Sequence, residues 1–187
     1  MSTADLLHQL EQAAMAAFGS NGERPRTLRV MQVFGDLGRS LGYHVLARKM
    51  DYLGSYDGQW LYDMLWSDDA SDGTFLGMPM VLESKLGLSA AKAADVDGDF
   101  AKLVQARADV RVWVTTCPNQ ELVQQQIANC KRQACAYRGA LPGDAYLFVV
   151  HDDTTSCTTI EVFRVPEPSH GAQRSDEWHR GASVLRG

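Results

Sequence analysis

The chain has 187 residues and a formal net charge of −5, with 45% hydrophobic and 22% charged residues. This length and composition suit one folded domain with a sizeable core and argue against disorder throughout. The negative charge argues against a protein that coats nucleic acid by bulk electrostatics, although it is compatible with a local basic groove.

The sequence carries no pattern typical of secretion or membrane insertion. Its first 19 residues are amphipathic and lack the positive segment and long apolar core of a secretory signal, and no apolar run approaches the length of a membrane span. The four cysteines show no C-x-x-C spacing, which favours reduced thiols over a disulfide framework or a zinc site. We therefore expect a cytoplasmic protein without membrane association.

The first half of the chain predicts two helices followed by three strands. Helical periodicity covers residues 4–18 and 27–41, and Gly19 and Gly42 follow as stop signals. Strands are predicted at 43–49, 59–67 and 77–86, where apolar and aromatic residues alternate or run together.

The second half alternates between the two kinds of element. A helix is predicted over 99–109 with Asp99 as its cap, then a strand from Val110, a helix over 119–137, and strands at 144–150 and 158–165. This order predicts an α/β fold with a mixed central sheet flanked by helices. We expect one domain over residues 1–165 and a flexible C-terminal tail over 166–187, where the composition is typical of a linker.

The phase of two predicted strands brings acidic side chains together. Because side chains alternate along a strand, Asp63 shares a face with Leu65, and Glu83 shares a face with Val81 and Lys85. If the two strands pair as an antiparallel hairpin, the register can place Asp63 beside Glu83. Two adjacent carboxylates repel each other unless a cation lies between them, so this pair suggests a metal site.

These residues and their order resemble the restriction-endonuclease-like PD-(D/E)xK nuclease superfamily. The similarity rests on Asp63, on Glu83-Ser84-Lys85 in the next strand, on the segment DFAKL from Asp99 that opens a helix, and on the strand VRVWV that follows. It covers about residues 4–150 and implies a core of helix, three strands, helix and strand, with additional C-terminal strands. The proline of the family motif is missing before Asp63.

The resemblance implies a role for each of these residues. Asp63 and Glu83 would be metal ligands, with Glu11 of the first helix as a candidate third ligand and Lys85 as the catalytic lysine. A polar residue of the later helix, Lys102 or Gln105, would contact substrate. The implied cofactor is Mg²⁺, with Mn²⁺ as a substitute, and the implied substrate is nucleic acid, DNA rather than RNA. One active site addresses one scissile bond, so cutting both strands of a duplex predicts a homodimer.

The same chemistry can be stated from the residues. Carboxylate oxygens suit Mg²⁺, which uses one or two carboxylates together with substrate phosphate and waters, and a metal of this kind stabilises negative charge on a phosphoryl group. Lys85 lies roughly 7 Å along the strand from Glu83. It can orient the attacking water, contact the scissile phosphate, or act as a base, and the sequence does not choose among these roles.

Two interpretations therefore stand. The first is a metal-dependent nuclease, and the second is a catalytically inactive interaction module of the same fold, whose acids serve structure or partner binding. In the second, Glu83 and Lys85 form a solvated pair worth under about 1 kcal/mol. The chain has no GxGxxG or GxxxxGK[ST] loop, which argues against NAD-dependent and P-loop chemistry. The segment His151-Asp152-Asp153 is better explained as a polar turn than as a set of metal ligands.

Overall fold

The computed structural model describes residues 1–18, 27–47, 61–87 and 98–167. This part of the chain contains four helices, α1 (Thr3–Phe18), α2 (Thr27–Ser40), α3 (Gly98–Gln105) and α4 (Gln120–Ala136). It also contains six strands, β1 (His44–Ala47), β2 (Met64–Asp69), β3 (Phe75–Lys85), β4 (Ala108–Cys117), β5 (Ala145–Asp152) and β6 (Thr158–Arg164).

The six strands form one sheet in which they lie in chain order. Strands β3, β4 and β5 are parallel neighbours, whereas the β1–β2, β2–β3 and β5–β6 pairs are antiparallel. The predicted α/β class, with a mixed central sheet flanked by helices, is confirmed.

The helices are divided between the two faces of the sheet. Helices α1 and α2 pack on one face, and α3 and α4 pack on the other. Along β3, Met80 and Leu82 belong to the α1–α2 face and Val81 belongs to the α3–α4 face, as expected from strand alternation. All three side chains are fully buried, and burial of a side chain of this size contributes about 1.5–3 kcal/mol. The face of the sheet on which each polar side chain near the end of β3 lies is therefore fixed.

Side-chain contacts explain where α1 and α4 begin, and a backbone conformation explains where α2 ends. At the start of α1, the backbone N–H of Asp5 donates to the Ser2 hydroxyl at 3.2 Å, and the Asp5 carboxylate accepts from that hydroxyl at 2.6 Å. The Asn119 side chain caps α4 by accepting from the Leu122 N–H at 2.9 Å. After α2, Gly42 adopts a φ of +86°, a conformation in which glycine avoids the steric cost that other residues incur.

Two predicted boundaries differ most from the structure. Strand β2 begins at Met64 rather than at residue 59, because Leu61 to Asp63 form a bend. Helix α3 ends at Gln105 rather than at 109, and β4 already begins at Ala108. The helix ends early because the Ala106 N–H bonds to the Leu103 carbonyl at 3.0 Å, and the Ala106 carbonyl accepts from the buried Arg111 guanidinium at 2.7 and 3.1 Å.

Several other predictions fall partly on residues that the structure does not describe. These are the Gly19 helix stop, residues 48–49 and 59–60 of two predicted strands, and nearly all of the predicted tail, from residue 168 onward. Within the described ranges, none of the helices is long and apolar enough to cross a membrane. The four cysteines all lie in described ranges and are free thiols.

Candidate functional site

The β2–β3 hairpin brings Asp63 and Glu83 together on the α3–α4 face. Its register pairs Met64 with Leu82 and Leu65 with Val81, and its continuation by one residue sets Asp63 opposite Glu83. The Asp63 Oδ2 atom accepts a hydrogen bond from the Ser84 backbone N–H at 3.0 Å. The bend that contains Asp63 is thus tied to β3 even though Asp63 precedes the regular strand.

Glu83 is a buried carboxylate. Only 3% of its surface is exposed, and its Oε1 atom lacks a hydrogen-bond partner among the described residues. Burial, followed by the negative charge of Asp63, raises the pKa of Glu83 from 4.5 to about 8, although the ammonium group of Lys102 opposes the shift. The fold therefore holds an acid where its charged form is costly, which is typical of functional sites.

Helix α3 adds a second pair of charged residues to this face. The Lys102 Nζ atom lies 3.7 Å from Glu83 Oε1 and 2.6 Å from Asp99 Oδ1. The Lys85 Nζ atom, at the end of β3, lies 3.1 Å from Asp99 Oδ2. A continuous chain of charges thus runs from Lys85 through Asp99 and Lys102 to Glu83.

The lysines and Asp99 are more accessible than Glu83. Their side chains are 29–33% exposed, whereas that of Glu83 is 4% exposed. The hydrogen bond from Lys102 lowers the pKa of Asp99 despite the opposing effect of partial burial. Burial lowers the pKa of Lys102, but the hydrogen bond to Asp99 and the charge of Glu83 outweigh it, so the net shift is upward. Both ions of this pair are therefore stabilised in their charged forms.

Two threonines of β4 fix the backbone at the end of β3. The Thr115 hydroxyl donates to the Lys85 carbonyl at 2.7 Å, and the Thr116 hydroxyl accepts from the Gly87 N–H at 2.8 Å. Parallel pairing also sets Glu83 beside Trp113. The carboxyl end of a parallel strand, where ligands commonly bind in α/β sheets, is thus held in a defined position.

Asp63 and Glu83 are the residues of this site that can hold a metal ion. The Glu83 oxygen that lacks a hydrogen bond and the neighbouring Asp63 carboxylate are hard donors of the kind that Mg²⁺ prefers. In the described ranges, no group of three or more histidine, cysteine, aspartate or glutamate side chains is arranged to hold a metal. A pair of carboxylates still fits Mg²⁺, because this ion usually retains waters and takes phosphate oxygens as further ligands.

Two other predicted site residues lie apart from this arrangement. Glu11 belongs to α1, which packs on the opposite face of the sheet from Asp63 and Glu83. Gln105 is exposed, and its side-chain amide donates to the Ala101 carbonyl of its own helix at 3.1 Å. The structure therefore brings Lys102 to the acidic pair but does not bring Glu11 or Gln105 there.

The His151-Asp152-Asp153 segment covers the last two residues of β5 and the first residue of the turn that follows. One oxygen of the buried Asp152 carboxylate accepts from the backbone N–H groups of Thr154 and Thr155 at 2.8 and 3.2 Å. His151 shares a hydrogen bond of 2.9 Å with the Thr158 hydroxyl. The polar turn expected from the sequence therefore begins at Asp153, whereas His151 and Asp152 are buried strand residues.

Asp99 is the site residue whose role the sequence did not reveal. Its position predicted a helix cap, whereas its carboxylate bridges two lysines that lie 14 residues before it and three residues after it. The spacing to Lys102 was a usable signal, because residues three apart on a helix are neighbours. The contact with Lys85 joins two different elements, so no local pattern in the sequence predicts it.

Comparisons with protein-family models, curated proteins and solved structures find no match to this chain. The site is therefore defined by its own geometry: a carboxylate pair on a β-hairpin, flanked by two lysines that a third carboxylate connects.

Proposed function

We propose that the chain is a divalent-metal-dependent nuclease that hydrolyses phosphodiester bonds, with DNA as its substrate. The observation that carries the proposal is the convergence of Asp63, Glu83, Lys85 and Lys102 at one end of the α3–α4 face. Two hard oxygen donors beside two ammonium groups form an arrangement that suits a metal together with an anionic phosphate.

Asp63 and Glu83 would hold the metal, Mg²⁺ or Mn²⁺. When bound, the ion would stabilise the negative charge that develops on the phosphoryl oxygens. The residues of the chain itself support this assignment, because Glu83 is buried next to Asp63 and its Oε1 atom has the Lys102 ammonium as a neighbour only at 3.7 Å, beyond hydrogen-bond distance.

Lys85 and Lys102 would contact the phosphate group. Each ammonium group has three donors and can reach an anion while keeping its bond to Asp99. Both side chains are about one-third exposed, so a substrate can approach them from solvent. The charges of the two lysines are offset by those of Asp63 and Asp99, so a bound divalent cation would supply the excess positive charge that a nucleic acid requires.

The preference for DNA, the cytoplasmic location and a homodimer are further parts of this proposal. The first rests on the resemblance to the PD-(D/E)xK superfamily, and the second rests on the four cysteines, which are free thiols. The third follows from the need for two active sites to cut two strands.

A cleavage assay with four nucleic acids tests the proposal. Supercoiled plasmid, linear duplex DNA, single-stranded DNA and single-stranded RNA are incubated with wild-type protein in Mg²⁺, Mn²⁺ or EDTA. We expect metal-dependent cleavage by the wild type and none by Asp63→Asn or Glu83→Gln. Asp36→Asn is the matched control, because Asp36 is an exposed carboxylate on α2, over the other face of the sheet.

Two results would overturn the proposal. One is failure of the wild type to cleave any of the four nucleic acids in Mn²⁺. The other is equal cleavage by the wild type and both site variants, which indicates a contaminating nuclease. A folded wild type that binds nucleic acid without cleaving it would favour the interaction module instead.

A further inference from the structure

Asp99 connects the two lysines of the site. Its Oδ1 atom accepts from Lys102 at 2.6 Å, and its Oδ2 atom accepts from Lys85 at 3.1 Å, so each carboxylate oxygen binds one ammonium group. The same Lys102 ammonium lies 3.7 Å from Glu83 Oε1. Asp99 therefore joins the two ammonium groups to each other, and Lys102 joins them to the acidic pair.

The backbone around Asp99 is anchored by the core. The next residue, Phe100, is fully buried and packs edge to face against Trp113, with ring centroids 5.7 Å apart. Trp113 in turn pairs with Glu83 across β3 and β4. Because lysine side chains are long and flexible, the fixed group in this cluster is Asp99, and the lysines adapt to it.

We propose that Asp99 is the positioning residue of this site, holding Lys85 and Lys102 at a fixed spacing so that both ammonium groups contact one phosphate group. This inference rests on the proposed function for the identity of the substrate. Each ammonium group carries three donors, and about a third of each lysine side chain is exposed, so a phosphate can approach both groups from solvent.

This role can be separated from simple stabilisation of the helix. A carboxylate in the first turn of a helix contributes about 0.3–1 kcal/mol through the helix dipole. Asp99→Asn keeps the size of the side chain and removes the charge that holds the lysines, whereas Asp99→Glu keeps the charge. A purely stabilising role would change the free energy of unfolding and leave the folded protein with wild-type turnover and ligand affinity, whereas a positioning role changes turnover and ligand affinity in folded protein.

The first arm of the experiment measures kcat and KM for the nucleic acid that the wild type cleaves. Loss of alignment at a reacting group costs on the order of 10- to 100-fold in rate. We expect Asp99→Asn to lower kcat by this amount with a smaller change in KM, and Asp99→Glu to recover part of the loss. In a Lys102→Met background, Asp99→Asn should cause a smaller further loss, because it acts through that lysine.

The second arm measures affinity for a short fluorescent single-stranded DNA by anisotropy in Ca²⁺, which takes the same kind of oxygen ligands as Mg²⁺. Removing a negative charge that merely repels DNA would strengthen binding, whereas removing a positioning carboxylate weakens it. We expect weaker binding by Asp99→Asn, wild-type binding by the Asp36→Asn control, and intermediate binding by Asp99→Glu. Urea unfolding confirms that the variants are folded.

The outcomes separate this inference from the proposed function. Wild-type kcat, or unchanged or stronger DNA binding, in folded Asp99→Asn would overturn the positioning role while leaving the nuclease intact. A wild type that binds DNA without cleaving it would refute the nuclease, and the binding arm alone would then decide the role of Asp99. A wild type that neither cleaves nor binds would overturn both.

Discussion

Replacing Glu83 by glutamine should make the metal-free protein more stable at alkaline pH. Glu83 is buried, and its pKa is raised from 4.5 to about 8, mainly by burial and next by the charge of Asp63. Ionisation of the Glu83 carboxyl group therefore costs more free energy in the folded chain than in the unfolded chain. The amide of Glu83→Gln has nearly the same shape and does not ionise.

The direction and size of the effect follow from this shift. Because the pKa is higher in the folded state, the protonated group stabilises the fold fully below the usual pKa of 4.5, and this contribution is lost as pH rises toward about 8. The slope reaches about 1.4 kcal/mol per pH unit between the two pKa values and flattens near each of them, so between pH 5 and pH 8 the wild type should lose about 3–4 kcal/mol relative to Glu83→Gln.

Urea unfolding in EDTA, at several pH values from 5 to 8.5, measures this difference. We expect the two proteins to have similar free energies of unfolding at pH 5 and Glu83→Gln to be clearly more stable at pH 8. The exposed control Asp36→Asn should follow the wild type across the range. A pH-independent difference, or a wild type that gains stability over Glu83→Gln as pH rises, would refute this account of Glu83.

Three further predictions concern metal binding, catalysis and packing. Binding of Mn²⁺ at pH 7 should release a proton from Glu83, so the calorimetric heat of binding should depend on the ionisation enthalpy of the buffer. Glu83→Gln should abolish this dependence, and a buffer-independent heat of binding in the wild type would contradict the prediction. Lys85→Met should abolish cleavage while calorimetry finds Mn²⁺ affinity unchanged, and an equal loss of both would argue that Lys85 merely supports the fold. Gly38→Ala should lower the free energy of unfolding by about 1–3 kcal/mol, because its Cβ would lie 2.6 Å from the buried Trp66 ring. Gly77→Ala, where a Cβ meets nothing within 4 Å, should change it little in the same urea assay, and equal effects would refute the packing argument.

The parts of the fold that were predictable are those with strong local periodicity. The amphipathic pattern of α1 and the apolar run of β4 define their own type of element. Strand alternation also predicted the face on which Asp63 and Glu83 lie, because a period of two fixes which side chains share a face, whereas their pairing required an assumed hairpin register.

The boundaries and long-range contacts were not predictable for physical reasons. The bend at Asp63 and the early end of α3 depend on the Ser84 N–H and the Arg111 guanidinium, which reach them from other elements. The periodicity of α1 likewise marks a buried stripe without indicating which face of the sheet it covers. For that reason Glu11 was a reasonable candidate in the sequence and lies over the other face in the structure.

The measurement that tests the central claim most directly is Mn²⁺ binding by calorimetry to the wild type, Asp63→Ala and Glu83→Ala. The account predicts that the wild type binds Mn²⁺ and that each substitution abolishes binding in a protein that still unfolds cooperatively in urea. No binding by the wild type at millimolar Mn²⁺, or binding indifferent to both substitutions, would contradict the assignment of Asp63 and Glu83 as one metal site.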